Sequence, residues 1–306
     1  MRFVVCGEAL IDLMPEEMIS PAESRWIARS GGGPFNTATA LSKLGQDTRF
    51  LGRLSTDAFG RQLRSHLDGA GVDLSLAVST ADPTSLAVVS LDEAGHASYH
   101  FHFAGTSAFN WQTGELPPLD GADWLHFGSI GAVIGPGAKH ILDFIRNTDA
   151  AVSFDLNVRP STLPDRAEYF GLIADLLTAV GKHGGIAKAS DEDIAWLVDD
   201  DSDPLGYAEG WVGEYGLSMF IVTLGADGVV AVKPDGSRVR TPGRPVDVVD
   251  TVGAGDTFMA GFLSAYAQDP GDVEGALAHG AAAAAIVCTR KGAQPPTAAE
   301  VDALLA

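Results

Sequence analysis

This sequence predicts an α/β fold: a doubly wound, mainly parallel central sheet flanked by helices. Three observations carry that expectation. The chain opens on an apolar, β-prone run at 2–6; buried-strand runs alternate with helical stretches beyond residue 120; and 306 residues, 46% hydrophobic and 20% charged, suffice to bury one large core. Residues 1–306 therefore read as a single α/β domain, with a small β-strand lid formed by insertions at about 12–30 and 84–104.

The run at 2–6 ends at Gly7 and reads as a fully buried first strand. Over 34–44 the spacing of Phe35, Ala38, Leu41 and Leu44 is helical, Pro34 suits the first turn, and Gly45 suits the position past the end. A glycine-rich loop thus feeds a helix N-terminus. A second helix is expected over 58–68, closed by Gly69, Ala70 and Gly71. Residues 84–91 and 97–103 alternate like a hairpin turning at 92–95; without a crossover helix between them they suit a lid, joined by a strand near 25–28. Further on, buried strands are read at 124–127, 151–156, 186–189 and 219–224, separated by helical stretches such as 138–146 and 167–180. A hairpin at 228–239, turning at Pro234, Asp235 and Gly236, precedes the last two helices, at about 256–267 and 273–288.

Forty acidic against 20 basic residues give a formal net charge of −20. Such a charge repels phosphate backbones and anionic membrane surfaces, so neither nucleic acid nor membrane is expected as a partner. It also opposes an anionic nucleotide, whose site must gather positive potential from backbone N–H groups, a metal ion and a few basic side chains. Cys6 and Cys288 lie in an apolar run and an Ala-rich helical run, make no disulfide framework, and suit a reducing compartment. Glu8 and Asp12 come too early for a signal peptide, and the longest apolar stretch, at about 275–288, contains His279 and is shorter than the ~20 residues of a membrane span. A cytoplasmic protein is the expectation.

The segment from Asp250 to Gly261 places two glycines and a carboxylate at the start of a strongly helical run. Glycines at 253 and 255 permit a tight turn with close backbone approach to an anion, and the helix dipole adds roughly half a positive charge there. An Asp before an apolar helix is ordinarily an N-cap. Beside a phosphate-binding turn, however, the Asp256 carboxylate can accept the proton of an attacking hydroxyl while neighbouring N–H groups hold the transferring phosphoryl oxygens. Lys188 follows a strand and is placed to reach nucleotide phosphates.

The stretch DTVGAGDTFMAGF resembles the C-terminal signature of the ribokinase-like (PfkB) carbohydrate kinases, and GGGPFNTATALSKLG resembles their N-terminal one. GEALIDLMP, DLNVRP, VTLGADG and TRKGAQPP add matches in the family's order, so the resemblance spans almost the whole chain. It implies a ribokinase-like fold and phosphorylation of a sugar hydroxyl, with ATP, Mg²⁺ and K⁺ as cofactors and Asp256 as the base.

By that resemblance Asp12, Gly32, Gly33 and Asn36 line the sugar site, Asp12 and Asn36 binding hydroxyls. Tyr99, Phe101 and Phe103 alternate with His100 and His102 on the lid; Phe101 is taken as the residue covering the sugar, although an ordinary half-buried strand has the same pattern. Asn157 and Arg159, in DLNVR, would face the substrate or the transferring phosphoryl group, at a strand end of the kind where such folds bind ligands. Thr223, Gly225 and Gly228 resemble the nucleotide-binding strand end and turn, and Gly253, Ala254 and Gly255 would hold the γ-phosphate. Where the family often has Asn-x-x-Glu, this chain has Ser190-Asp-Glu-Asp193. Asp193 is then the carboxylate supporting magnesium through water, with Glu192 competing for the role and a plain acidic helix start as the alternative. Asp250, Val252, Arg290 and Gly292 occupy the positions matching a monovalent cation site.

The early glycines lead to Pro34 and Asn36 without completing G-x-G-x-x-G, and no G-x-x-x-x-G-K-[ST] loop is present, so a dinucleotide-binding Rossmann enzyme and a P-loop enzyme are both disfavoured. A non-catalytic sugar- or nucleotide-binding module is the alternative from another class. Within the kinases the opening, the GGGPFN loop and the DLNVRP run look closest to fructokinases, implying fructose phosphorylated at O6. Kinases of 2-keto-3-deoxygluconate, ribose or nucleosides are the alternatives. An exposed face on the lid strands would let two subunits pair as a homodimer.

Overall fold

Residues 1–91, 97–121 and 123–306 are described by the computed structural model. The first part of the chain runs through β1 (Arg2–Cys6), β2 (Leu10–Ser20), β3 (Glu23–Gly31), α1 (Gly33–Lys43), β4 (Thr48–Leu51), β5 (Arg53–Ser55), α2 (Ala58–Ala70), β6 (Val78–Thr80), β7 (Leu86–Leu91) and β8 (Ala97–His102). The middle holds β9 (Asp123–Gly128), α3 (Ala138–Arg146), β10 (Ala151–Asp155), α4 (Arg166–Gly181), β11 (Ile186–Ser190), α5 (Asp191–Val198) and α6 (Pro204–Tyr215). The chain finishes with β12 (Met219–Thr223), β13 (Val229–Val232), β14 (Arg238–Thr241), α7 (Ala254–Tyr266), α8 (Val273–Cys288) and α9 (Ala298–Leu305).

Eight strands form the main sheet in the order β14-β13-β12-β11-β10-β9-β1-β4. Pairing is parallel from β4 through β12 and antiparallel only at β13 and β14. Alternate residues of β1 serve two cores: Val4 and Cys6 pack with buried side chains of α3, α4 and α6, whereas Phe3 and Val5 pack with those of α1, α2, α7 and α8. A period of two with both faces apolar is what a sheet sandwiched between helix layers requires. The doubly wound reading is therefore correct.

A second sheet, ordered β3-β2-β7-β8, stands beside the first. Asp12 pairs with Arg29 on one side and Ala87 on the other, and Ala87 pairs with Phe101, so these four residues form one cross-strand row on one face. A small apolar cluster of Leu10, Ala87, Ala108, Phe109 and Ile130, with Phe101 and Phe103 against it, fastens that face to the body.

The strand expected near 25–28 is longer, and its partner β2 escaped the reading. Pro15 and the following acidic pair break the alternation there, and the register shifts between Pro15 and Glu17. The turn expected at 92–95 lies outside the described residues. Two helices were expected at the C-terminal end, but a third, α9, follows them. Its capping box, Thr297 with Glu300, was the available signal.

Candidate active site

Helix α7 begins at the exposed end of a turn whose N-cap, Gly253, has φ 77°, and no side chain caps it. The left-handed backbone is why glycine is needed there. Ala254, one of the three residues expected beside a phosphate, donates its N–H to Thr251 O at 3.1 Å and closes the turn. Among the described residues the N–H groups of Gly253, Gly255 and Asp256 find no protein acceptor. Three unengaged donors and a helix dipole therefore meet at one helix start, the kind of arrangement that binds an anion.

Asp256, in the first turn of α7, is 8% exposed, and its Oδ2 accepts a 2.8 Å hydrogen bond from Asn36 Nδ2. Burial pushes its pKa up to about 6, and the nearby Asp155 carboxylate adds to this; Asn36, Lys188 and Arg159 oppose the rise. A carboxyl group in that range can take a proton from an alcohol near neutral pH. A Cβ built on Gly33 would stand 3.3 Å from Asp256 Oδ1, 3.0 Å from Asn157 Nδ2 and 3.2 Å from Ser129 Cβ. The bare backbone at 33 thus leaves the space that these three side chains face. Asn157 occupies the left-handed region at φ 40°, which an amide tolerates better than most residues.

Beneath the turn lies an ion pair that the sequence reading missed. Lys188 Nζ donates to both oxygens of Asp155 at 3.1 Å, and both side chains are nearly fully buried. Burial alone would push the Lys188 pKa down, but Asp155, with Asp193 and Asp256 behind it, holds it above its ordinary value. A Cβ on Gly255 would come within 3.0 Å of that ammonium. Lys188 thus adds a fixed positive charge under the anion-binding turn, while Asp155 neutralises part of it. Arg159 is exposed, its Nη1 bonded to Val158 O, and it is near enough to Asp256 to affect that carboxyl.

The second sheet supplies the opposite wall. Asp12 is buried enough that its pKa rises to about 6, against the pull of Arg29. Phe101 lies in a ladder of rings, 6.1 Å from Tyr99 and 4.8 Å from Phe103, on the same row as Asp12. Arg29, unnoticed in the sequence, is partly buried with no hydrogen bond or ion pair among the described residues; its Nη1 lies 3.5 Å from where a Cβ on Gly292 would stand. Gly32 runs against the backbone of Glu8, and Glu8, buried behind the loop, was read only as a charge too early for a signal peptide.

Of the residues expected to take a nucleotide, Thr223 ends β12 and Gly225 opens the next turn into free space. A Cβ on Gly228 would collide with Thr241 O, so that glycine answers to packing against the strand beside it. Asp193 makes the capping box of α5, its Oδ2 accepting from Ser190 N, and its Oδ1 ties down Val158 N. Backbone donors thus already engage both of its oxygens, and the residue is a cap and tether first. Asp250 clasps Val252 N at 3.1 Å and Gly292 N at 2.8 Å, while the carbonyls of Asp250, Val252 and Arg290 accept no hydrogen bond among the described residues. Unengaged carbonyl oxygens beside a carboxylate are the donors a hard cation takes, whereas the Gly292 carbonyl already accepts from Gln294 N at 2.8 Å. The Arg290 side chain turns away to Glu300 and Pro295.

Comparison with known proteins bears on the whole arrangement. Residues 2–300 match the family described as pfkB family carbohydrate kinase. A fructokinase of Rhizobium leguminosarum bv. trifolii is 35% identical over 269 residues, covering 86% of this chain and 79% of its own. One from Salmonella typhimurium is 32% identical over 299 residues, covering 94% of each chain. Among solved structures, a Vibrio cholerae O395 fructokinase with fructose, ADP and potassium bound matches at TM-score 0.85 and 26% identity, over 100% of this chain and 98% of that one. An aminoimidazole riboside kinase from Salmonella enterica, bound to aminoimidazole riboside and an ATP analogue, matches at TM-score 0.85 and 27% identity over 100% of both chains.

Proposed function

The chain belongs to the pfkB family of carbohydrate kinases, and from that premise we propose that it phosphorylates fructose at O6, with Asp256 as general base. The observation that carries the proposal is the meeting, at one helix start, of three unengaged backbone donors and a buried carboxylate whose pKa burial lifts to about 6. The acceptor hydroxyl gives its proton to Asp256 while its oxygen bonds to the γ-phosphorus, and the bond to the bridging oxygen breaks to release ADP. The N–H groups of Gly253, Gly255 and Asp256 receive the charge that develops on the phosphoryl oxygens, with Lys188 below them. Asn36 holds the base in place. Asp12, Asn157 and the Phe101 ladder line the sugar's side of the cleft, and Thr223 and Gly225 take the nucleotide.

Magnesium would enter with the nucleotide phosphates and keep most of its waters, Asp193 acting through that water shell. Potassium would take the carbonyls at 250, 252 and 290 and lend positive charge to the neighbouring turn. The second sheet acts as a lid and as the surface through which two copies would pair, and the protein works in the cytoplasm. The fructokinase relatives support fructose as acceptor, and the riboside kinase marks the alternative: the same catalytic end with a different sugar wall.

The test is ADP release measured over ketoses, aldoses, sugar acids and nucleosides, with and without potassium. Fructose is expected to give the highest kcat/KM. A clear preference for a sugar acid or nucleoside would replace fructose without touching the chemistry, and silence across all classes would favour a binding module.

A further inference from the structure

Glu8 directly follows β1, where the main sheet changes direction: β4 lies on one side of β1 and β9 on the other. Open α/β sheets bind ligands in the crevice at such a point. The side chain is 1% exposed, a costly place for a carboxylate, and it is engaged at both ends. Oε1 accepts from Gly33 N at 3.2 Å and Oε2 from Gly131 N at 3.0 Å. Gly33 opens α1, whose N-cap Gly32 has no side-chain cap, so Glu8 reaches from another element to satisfy a donor that its own helix leaves orphaned. Gly131 belongs to the short turn Ile130–Ala132 after β9, entered through Ser129 at φ 59°.

These two segments flank the base. Three residues beyond Gly33, Asn36 holds Asp256; on the other side, Ser129 approaches the bare Cα of Gly33. Among the described residues no backbone hydrogen bond joins the two segments, so the carboxylate is their hydrogen-bonded link. Burial pushes the Glu8 carboxyl up to about 7, a cost that hydrogen bonds from its own backbone, Ser129, Gly131 and Gly33 only partly offset. A residue kept there for packing alone would be apolar.

We propose that Glu8 is a positioning residue for the acceptor: its carboxylate sets the spacing between the start of α1 and the turn after β9, and so the width of the slot in which the hydroxyl meets Asp256. The proposal rests on the kinase reading above, and its test separates the two.

Glu8→Gln keeps the volume but replaces one accepting oxygen by an amide donor, so one of the two N–H groups loses its partner. Glu8→Asp keeps the charge and falls one methylene short of bridging both. In the full chain without ligands, amide hydrogen exchange is expected to quicken in peptides covering 31–37 or 128–133, with peptides of α4 and β12 unchanged. With D-fructose and ATP, the KM for fructose should rise about tenfold, the scale of one lost hydrogen bond, while the KM for ATP stays within about twofold. Exchange that rises evenly through the molecule would mean that Glu8 only stabilises the fold and would overturn the proposal, as would unchanged exchange with an unchanged fructose KM. If the unsubstituted protein does not turn over D-fructose, the fructose assignment fails and the exchange measurement still decides Glu8. Should the Gln variant not fold, the Asp variant carries both readouts.

Discussion

Helices α1 and α7 both begin on a glycine N-cap that brings no capping side chain of its own, and they are finished differently. The leading donor of α1 is consumed by a buried carboxylate, Glu8, whereas the donors of α7 at 253, 255 and 256 stay free. On the proposed mechanism, the contrast follows the charge of what each helix start would face. A phosphoryl group brings its own negative charge and needs open donors; a neutral hydroxyl needs a wall of fixed shape, and a helix start with its donor satisfied is less able to attract an anion to the wrong place. In a chain of net charge −20, engaging the leading donor of one helix start and leaving three unengaged at the other gathers positive potential where it is used.

The strongest way to break this division is to remove the base. Asp256→Asn should lower the phosphorylation rate by on the order of a thousandfold or more while ATP affinity remains broadly intact, since the backbone donors survive. Near-normal turnover by a folded variant would end the role assigned to that carboxylate. Gly255→Ala presses a methyl group toward the Lys188 ammonium, 3.0 Å away, and displaces the open donors. The kcat should fall about a hundredfold, the scale of one lost oxyanion donor, with the sugar KM little changed; a sugar KM that rises in step with that for ATP would erase the distinction between the two helix starts.

Acidity tests the same division more gently. With the Asp256 pKa raised to about 6, kcat/KM should climb roughly tenfold per pH unit below that value and level off above it. Stability should run the other way. Asp12, Asp256 and Glu8 all have folded pKa values, about 6, 6 and 7, above their ordinary ones, so the stability they contribute is complete below about pH 4 and is lost as pH rises through 6 to 7. Thermal melts from pH 5 to pH 8 should therefore show Tm falling, with Glu8→Gln flattening the upper part of the slope; a Tm that rises over that range contradicts the assignment. The smallest effect belongs to Arg29. Among the described residues it makes no hydrogen bond or ion pair and reaches Asp12 only through its charge, so change to Ala should cost little stability, but the acceptor KM should rise a few-fold with ATP unaffected. A KM that stays put would leave Arg29 as a solvated side chain.

The sheet and most of its helices were legible because parallel strands buried on both faces leave unbroken apolar runs, as at β9 through β12. The short β5 and β6 carry too few residues for any period, and β2 is interrupted by Pro15 and two glutamates. At the site, the glycine turn before Asp256 was readable because its chemistry is local. Its partners were less so: the Asp155–Lys188 pair joins two strands, Arg29 faces Asp12 only through strand pairing, and Glu8 bridges loops far apart in the chain. A buried carboxylate looks like any other acidic residue until the fold shows which donors surround it.

The ammonium lodged under Gly255 binds the fates of three positions. A side chain at 255 would press on the Lys188 ammonium, which must give way inside its ion pair, and shortening 188 strands Asp155 as a lone charge in the interior. No one of the three can drift by itself without penalty. A redesign of that corner would have to replace them in concert.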